Sequence, residues 1–283
     1  MANLINGKEI SLNIRNEIKA ETESFVEKTG VRPGLAVIIV GEDPASQVYV
    51  RNKKRACDEV GFYSESYELP ENTTQEELNA LVDKLNKNDK IHGILCQLPL
   101  PKHLDENEVI MRIDPSKDVD AFHPENVGKI MIGDYSFLPC TPAGVMALLE
   151  RSGIEVSGKK CVVVGRSNIV GKPQAMLLLH ANGTVTICHS RTKDLAKECR
   201  EADILVVAIG KADFITGDMV KDGAVVIDVG MNRRADGKLT GDVDFASVEP
   251  KASYITPVPG GVGPMTITML MQNTLTSAKN SVK

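Results

Sequence analysis

The chain has 283 residues, 42% hydrophobic and 25% charged, enough to bury a substantial core and intermediate between one large domain and two ordinary ones. Its formal charge of -5 leaves no broad basic footprint for nucleic acid or an anionic membrane; the one basic cluster is Arg51, Lys53, Lys54 and Arg55. Six cysteines without a C-x-x-C pair fit reduced thiols in the cytoplasm and point to neither a disulfide framework nor a metal site.

Residues 1–19 mix charged and apolar side chains at helical spacing, so no continuous apolar signal segment is expected. Nor does any run approach the roughly 20 apolar residues that span a bilayer, and a soluble, unexported protein is expected. Periodicity predicts a helix over residues 9–28, a buried strand over 35–40, and a helix over 46–60 closed by Gly61. Thr74 and Glu77 form a capping-box pattern that opens a helix to about residue 85, and a second buried strand follows over 91–96. This is a parallel α/β unit.

Residues 99–142 are rich in proline and glycine and read as a connection containing short helices. A helix over 142–151 then leads to short, apolar, β-branched strands at 161–164, 184–188, 204–208 and 224–227. These predict a doubly wound, Rossmann-like dinucleotide-binding domain. Pro264, just after three closely spaced glycines, sits where the first turn of a last helix should begin. The fold class is therefore α/β with two domains and a cleft between them: residues 1–138, completed by the C-terminal helix 264–283, and residues 139–263.

After the strand ending at Val164 comes GRSNIVGKP, residues 165–173. It differs from the usual G-x-G-x-x-G fingerprint, yet it is a strand–turn–helix in which glycine allows close backbone approach and helix N–H groups can hold phosphate. The next strand ends in CHSRT, residues 188–192, with no acid where an NAD site would hold the ribose hydroxyls. Arg166, Ser167, Ser190 and Arg191 instead offer cationic and hydroxyl donors suited to a 2′-phosphate, which favours NADP.

Tyr49 and Lys53, four apart on a predicted helix, can both face one cleft, although without other clues that spacing reads as a solvated helix face. The basic neighbours of Lys53, together with partial burial, would depress its pKa toward a range useful for proton transfer. Gln97 follows the strand 91–96, where ligands bind in open α/β sheets, but could also cap that strand. Asp120 could accept paired N–H donors from a ring amide and an exocyclic amine, or could cap a helix.

The chain resembles the bifunctional methylenetetrahydrofolate dehydrogenase/cyclohydrolase family through YVRNK (49–53), QLPLP (97–101), DVD (118–120), PCTP (139–142), GRSNIVGKP (165–173) and TPVPGGVGPMT (256–266). The resemblance implies an NADP-dependent cytoplasmic enzyme that acts on tetrahydrofolate derivatives and forms a homodimer. It implies that Lys53 is the catalytic lysine, with Tyr49 and Gln97 as partners. Asp120 would anchor the pterin, Tyr49 and Pro264 would contact substrate, and Gly165, Arg166, Ser167, Ser190 and Met231 would line the cofactor site. The family usually has glycine after the anchoring aspartate, where this chain has Ala121; a positive φ there would strain alanine. Two other readings are an NADP dehydrogenase of a small hydroxy or amino acid and a nucleotide-binding module without activity. The first leaves the Tyr49–Lys53 pair, Gln97 and Asp120 unconnected, and in the second the N-terminal domain would only recognise a partner.

Overall fold

The computed structural model describes residues 1–42 and 44–282, apart from the side chains of residues 44–46. In chain order it contains β1 (Asn3–Leu4), α1 (Gly7–Thr29), β2 (Gly34–Val40), α2 (Pro44–Val60), β3 (Tyr63–Leu69), α3 (Gln75–Asn86), β4 (Gly93–Cys96), α4 (Glu106–Arg112) and α5 (Pro124–Ile132). There follow α6 (Cys140–Arg151), β5 (Lys160–Val164), α7 (Gly171–His180), β6 (Thr184–Cys188), α8 (Leu195–Arg200), β7 (Ile204–Val207), β8 (Val225–Asp228), β9 (Asn232–Arg233), β10 (Leu239–Thr240), α9 (Phe245–Val248), β11 (Tyr254–Ile255) and α10 (Val262–Asn280). Among the described residues, no helix is long and apolar enough to cross a membrane.

The chain divides into two compact units: residues 13–140 with 267–283, and residues 1–12 with 141–266. This differs from the division expected from sequence, because the first residues belong with the second unit. There β1 pairs in parallel with β11, Asn3 opposite Tyr254 and Leu4 opposite Ile255, and the Lys8 N–H donates to the Gly260 carbonyl. A two-residue strand has too little periodicity to be read from sequence.

The first unit is built on a parallel three-stranded sheet in the order β3-β2-β4. All of β2 is buried, as its unbroken apolar run demands when both faces are covered. On one face Ala36, Ile38 and Val40 pack with Leu78, Val82 and Leu85 of α3, whose start carries the full Thr74–Glu77 capping box. The edge strand β3 escaped the sequence reading because its sequence, YSESYEL, carries charges and an alternating, half-exposed pattern. Tyr63 and Tyr67 both donate their hydroxyls to Glu65 across that edge.

Beyond β4, a parallel bridge between Ile94 and Asp118 draws the loop after α4 alongside the sheet. The buried Asp118 carboxylate ties that loop together, accepting the His123 N–H and the Asn126 side-chain amide, both at 2.8 Å. Within this turn Ala121 has φ 57°, the left-handed region, with its methyl fully buried.

The second unit holds a parallel six-stranded sheet in the order β1-β11-β8-β7-β5-β6. Its chain winds outward from β5 to β6 and then back through β7 and β8, the doubly wound pattern, so the carboxyl ends of β5 and β7 flank the switch point.

Thr74→Ala should cost about 1 kcal/mol in denaturant unfolding, the usual worth of such a cap. At Ala121 two terms oppose: the left-handed conformation costs an L-residue about 1–2 kcal/mol, whereas the buried methyl contributes about 0.8 kcal/mol. Ala121→Gly should therefore leave stability unchanged or raise it by up to about 1 kcal/mol; a loss of that size would show that the turn carries no strain.

Candidate functional site

Helix α2 places Lys53 by its own periodicity. Val50, Lys53, Ala56, Cys57 and Val60 are buried on one face, while Arg51, Lys54 and Arg55 are exposed. Lys53 is only 7% exposed, and its Nζ donates to Gln97 Oε1 at 2.8 Å. The Gln97 amide is itself oriented, because its Nε2 donates to the Leu98 carbonyl at 2.7 Å. Gln97 directly follows the carboxyl end of β4, whereas Lys53 sits well inside α2, the helix that follows the neighbouring strand β2. Tyr49 lies one turn before Lys53 and is half-buried.

Burial depresses the Lys53 pKa, and the charges of Asp120, Cys140 and Cys96 oppose that shift without reversing it. Of the two expected causes, burial is the source of the depression, and the exposed basic neighbours are not. Asp120 lies near enough to interact electrostatically with Lys53 and is raised by burial, with Lys53 pulling the other way. Desolvation thus moves the amine and the carboxyl toward each other, which eases proton exchange at Lys53. The role of loop tie belongs to Asp118, two residues away from Asp120.

The sequence reading did not single out Cys140 or Asn273. The Cys140 thiol is buried, donates to the Val119 carbonyl at 3.4 Å, and is pushed well above the usual thiol range by burial, with the Asp120 charge acting in the same direction. Asn273, on α10, donates its amide to the Val119 and Leu138 carbonyls, both at 2.8 Å, bracing the backbone on either side of this group. Asn273 shares the buried face of α10 with Thr268, Thr274 and Ser277, so its residue type alone did not mark it out.

In the six-stranded unit, Gly165 follows β5 with φ 134°, and a Cβ there would lie 2.3 Å from the Ala208 carbonyl oxygen. A Cβ on Gly171 would lie 2.3 Å from the Gly165 oxygen, so the turn closes only with glycine at both positions. A cavity of about 280 Å³ opens at this switch point, lined by Gly165, Arg166 and Ser190 from the sequence reading and by His189, Ile209 and Lys211 besides. Lys211 Nζ lies 5.2 Å from the Phe214 ring centre. The added residues each follow the carboxyl end of a strand, the position that topology alone marks for ligand contact.

The remaining candidates lie elsewhere in the same unit. Ser167 Oγ accepts the Val170 and Gly171 N–H groups at 3.2 Å, capping α7 and keeping its own hydrogen to donate. Arg191 is exposed beside Ser190, and its N–H donates to His189 Nδ1 at 3.1 Å. Met231 is exposed, and a Cβ on Gly263 would lie 3.1 Å from its methyl. Pro264 is the third residue of α10, with its carbonyl accepting Ser11 Oγ at 3.4 Å.

These exposed basic and hydroxyl side chains around a glycine cradle suit a phosphorylated dinucleotide. Residues 5–120 match the tetrahydrofolate dehydrogenase/cyclohydrolase catalytic domain family, and residues 139–282 match the NAD(P)-binding domain of the same enzymes. The bifunctional protein FolD of Acetivibrio thermocellus is 64% identical, the alignment covering 100% of this chain and 99% of that protein. The crystal structure of the bifunctional enzyme FolD from Campylobacter jejuni superposes with a TM-score of 0.97 at 52% identity, covering 99% of this chain and 100% of that one. The Trypanosoma brucei methylenetetrahydrofolate dehydrogenase-cyclohydrolase, solved with NADP and an inhibitor, gives a TM-score of 0.95 at 43% identity, covering 100% of this chain and 99% of that one. With both domain families matched in order and full-length relatives at this identity, the chain belongs to the tetrahydrofolate dehydrogenase/cyclohydrolase family.

Proposed function

We propose that this chain oxidises 5,10-methylenetetrahydrofolate to the 5,10-methenyl form with NADP and then hydrolyses that product to 10-formyltetrahydrofolate. The observation that carries the reading is the buried Lys53 amine, bonded to Gln97 and beside Asp120, in a chain of this family. A dehydrogenase of hydroxy or amino acids would leave this group without a task.

NADP, when bound, supplies the hydride acceptor. Gly165 would give the close backbone approach, Arg166, Ser190 and Arg191 would supply donors for its phosphates, and Ser167 and Met231 would line the same site. Loss of hydride from the methylene carbon calls for alignment rather than a protein base, since the adjoining nitrogens stabilise the cation that forms. Hydrolysis differs. Water adds to the methenyl carbon and loses a proton, and the bond from that carbon to N5 then breaks as N5 gains one. The Lys53 amine manages these transfers, Gln97 fixes its position, and Tyr49 lies one turn away on the same helix. Asp120 anchors the pterin by accepting its paired N–H groups, and Pro264 contributes to substrate binding. Free, largely buried thiols and the family resemblance support a cytoplasmic homodimer.

Arg191→Asp should weaken NADP much more than NAD in competition assays; equal losses would remove Arg191 from recognition of the 2′-phosphate. Lys53→Met keeps the reach of the side chain and removes the amine. It should lower cyclohydrolase activity roughly 10²–10⁴-fold while dehydrogenase activity stays measurable and methenyltetrahydrofolate accumulates during turnover. Undiminished cyclohydrolysis in the same folded variant would refute the proton-transfer role.

A further inference from the structure

Two carboxylates lie buried in the six-stranded unit: Asp228, the last residue of β8, and Asp242. Amide groups satisfy both. Asp228 accepts the N–H groups of Gly230 at 3.0 Å and of Asp242 and Val243 at 2.9 Å. Asp242 accepts three consecutive N–H groups, from Ile209 at 2.6 Å, Gly210 at 3.0 Å and Lys211 at 2.8 Å, and the Asn232 side-chain amide at 2.8 Å.

The packing leaves no slack. A Cβ on Gly241 would lie 1.7 Å from an Asp228 oxygen, and one on Gly230 would lie 2.3 Å from the Asp242 carboxyl carbon. Three successive N–H groups converging on one point make an anion-binding concavity, and in this fold the protein's own Asp242 fills it. The two segments so held are the ones that carry cofactor-site residues. Ile209 and Lys211 line the cavity beside Gly165, Arg166 and Ser190, and Met231 lies between Gly230 and Asn232.

We propose that Asp242, seated by Asp228, is the positioning residue of the NADP site, fixing the 209–211 turn and the segment around Met231 without touching the cofactor. The inference rests on reading the cavity at Gly165 as that site. A carboxylate is required because an amide would turn an N–H₂ group toward backbone donors that need acceptors.

The two half-reactions provide the test, because cyclohydrolysis uses no NADP. Asp242→Asn should raise the KM for NADP roughly 10- to 100-fold, the effect of one or two lost charge-assisted hydrogen bonds, with the folate KM and cyclohydrolase turnover changed less than about twofold. Asn232→Ala, a milder change at the same carboxylate, should move the NADP KM in the same direction by less, and it decides the matter if Asp242→Asn fails to fold. Assays at about pH 8.5 stay above the value of about 7 to which burial raises Asp228. An unmoved NADP KM, or a parallel fall of both activities in a folded variant, would overturn the inference. Absence of NADP-dependent oxidation in the unmodified protein would instead refute the functional reading.

Discussion

Burial of a single amine is the constraint around which the candidate site of the first unit is built. A lysine ammonium taken out of water loses several kcal/mol of hydration unless partners replace it, so such a group either finds acceptors or becomes easier to deprotonate. Lys53 does both, bonding Gln97 at 2.8 Å while desolvation still lowers its pKa. The rest of its unit supplies the geometry. The fully buried β2 fixes the neighbouring strands, β4 delivers Gln97 at its carboxyl end, and the Asp118 tie holds the turn that presents Asp120.

The six-stranded unit solves a different problem with the same topology. A dinucleotide phosphate needs close backbone approach, and the turn from Gly165 to Gly171 is tight enough to suit it because neither residue carries a Cβ, which would meet the Ala208 or the Gly165 carbonyl. In each sheet candidate residues follow the strands where the order reverses: β2 and β4 in one, β5 and β7 in the other. The loops there can vary in chemistry while the strands behind them keep their spacing.

Much of this was legible in the sequence because the signals are periodic or chemical. The apolar run of β2, the capping box at Thr74 and the glycine-bounded turn at 165–171 each have a local cause that the fold retains. Lys53 and Gln97 could be singled out by type and position, but their contact joins residues 44 apart and follows from sheet order, which periodicity does not encode. β3 was missed because an exposed edge carries polar residues, and β1 because two residues hold no pattern. Of the two causes that the sequence suggests for the Lys53 shift, burial holds and like charge does not: sequence adjacency puts Arg51, Lys54 and Arg55 next to it, whereas helical geometry turns them to solvent. His189 and Lys211 at the cavity beside Gly165, and the Asp228–Asp242 pair, depend on loops converging from separate strands and left only the rule of strand ends as a guide.

The most direct test of this account is a titration of the Lys53 amine in the folded, unmodified protein, followed by NMR of selectively labelled lysine and assigned with Lys53→Met. The account predicts that Lys53 releases its proton distinctly below the ordinary lysine value of 10.5, driven by desolvation against the pull of Asp120. An amine that titrates at or above that value would contradict it, because the charge would then be held by its partners and unavailable for proton transfer.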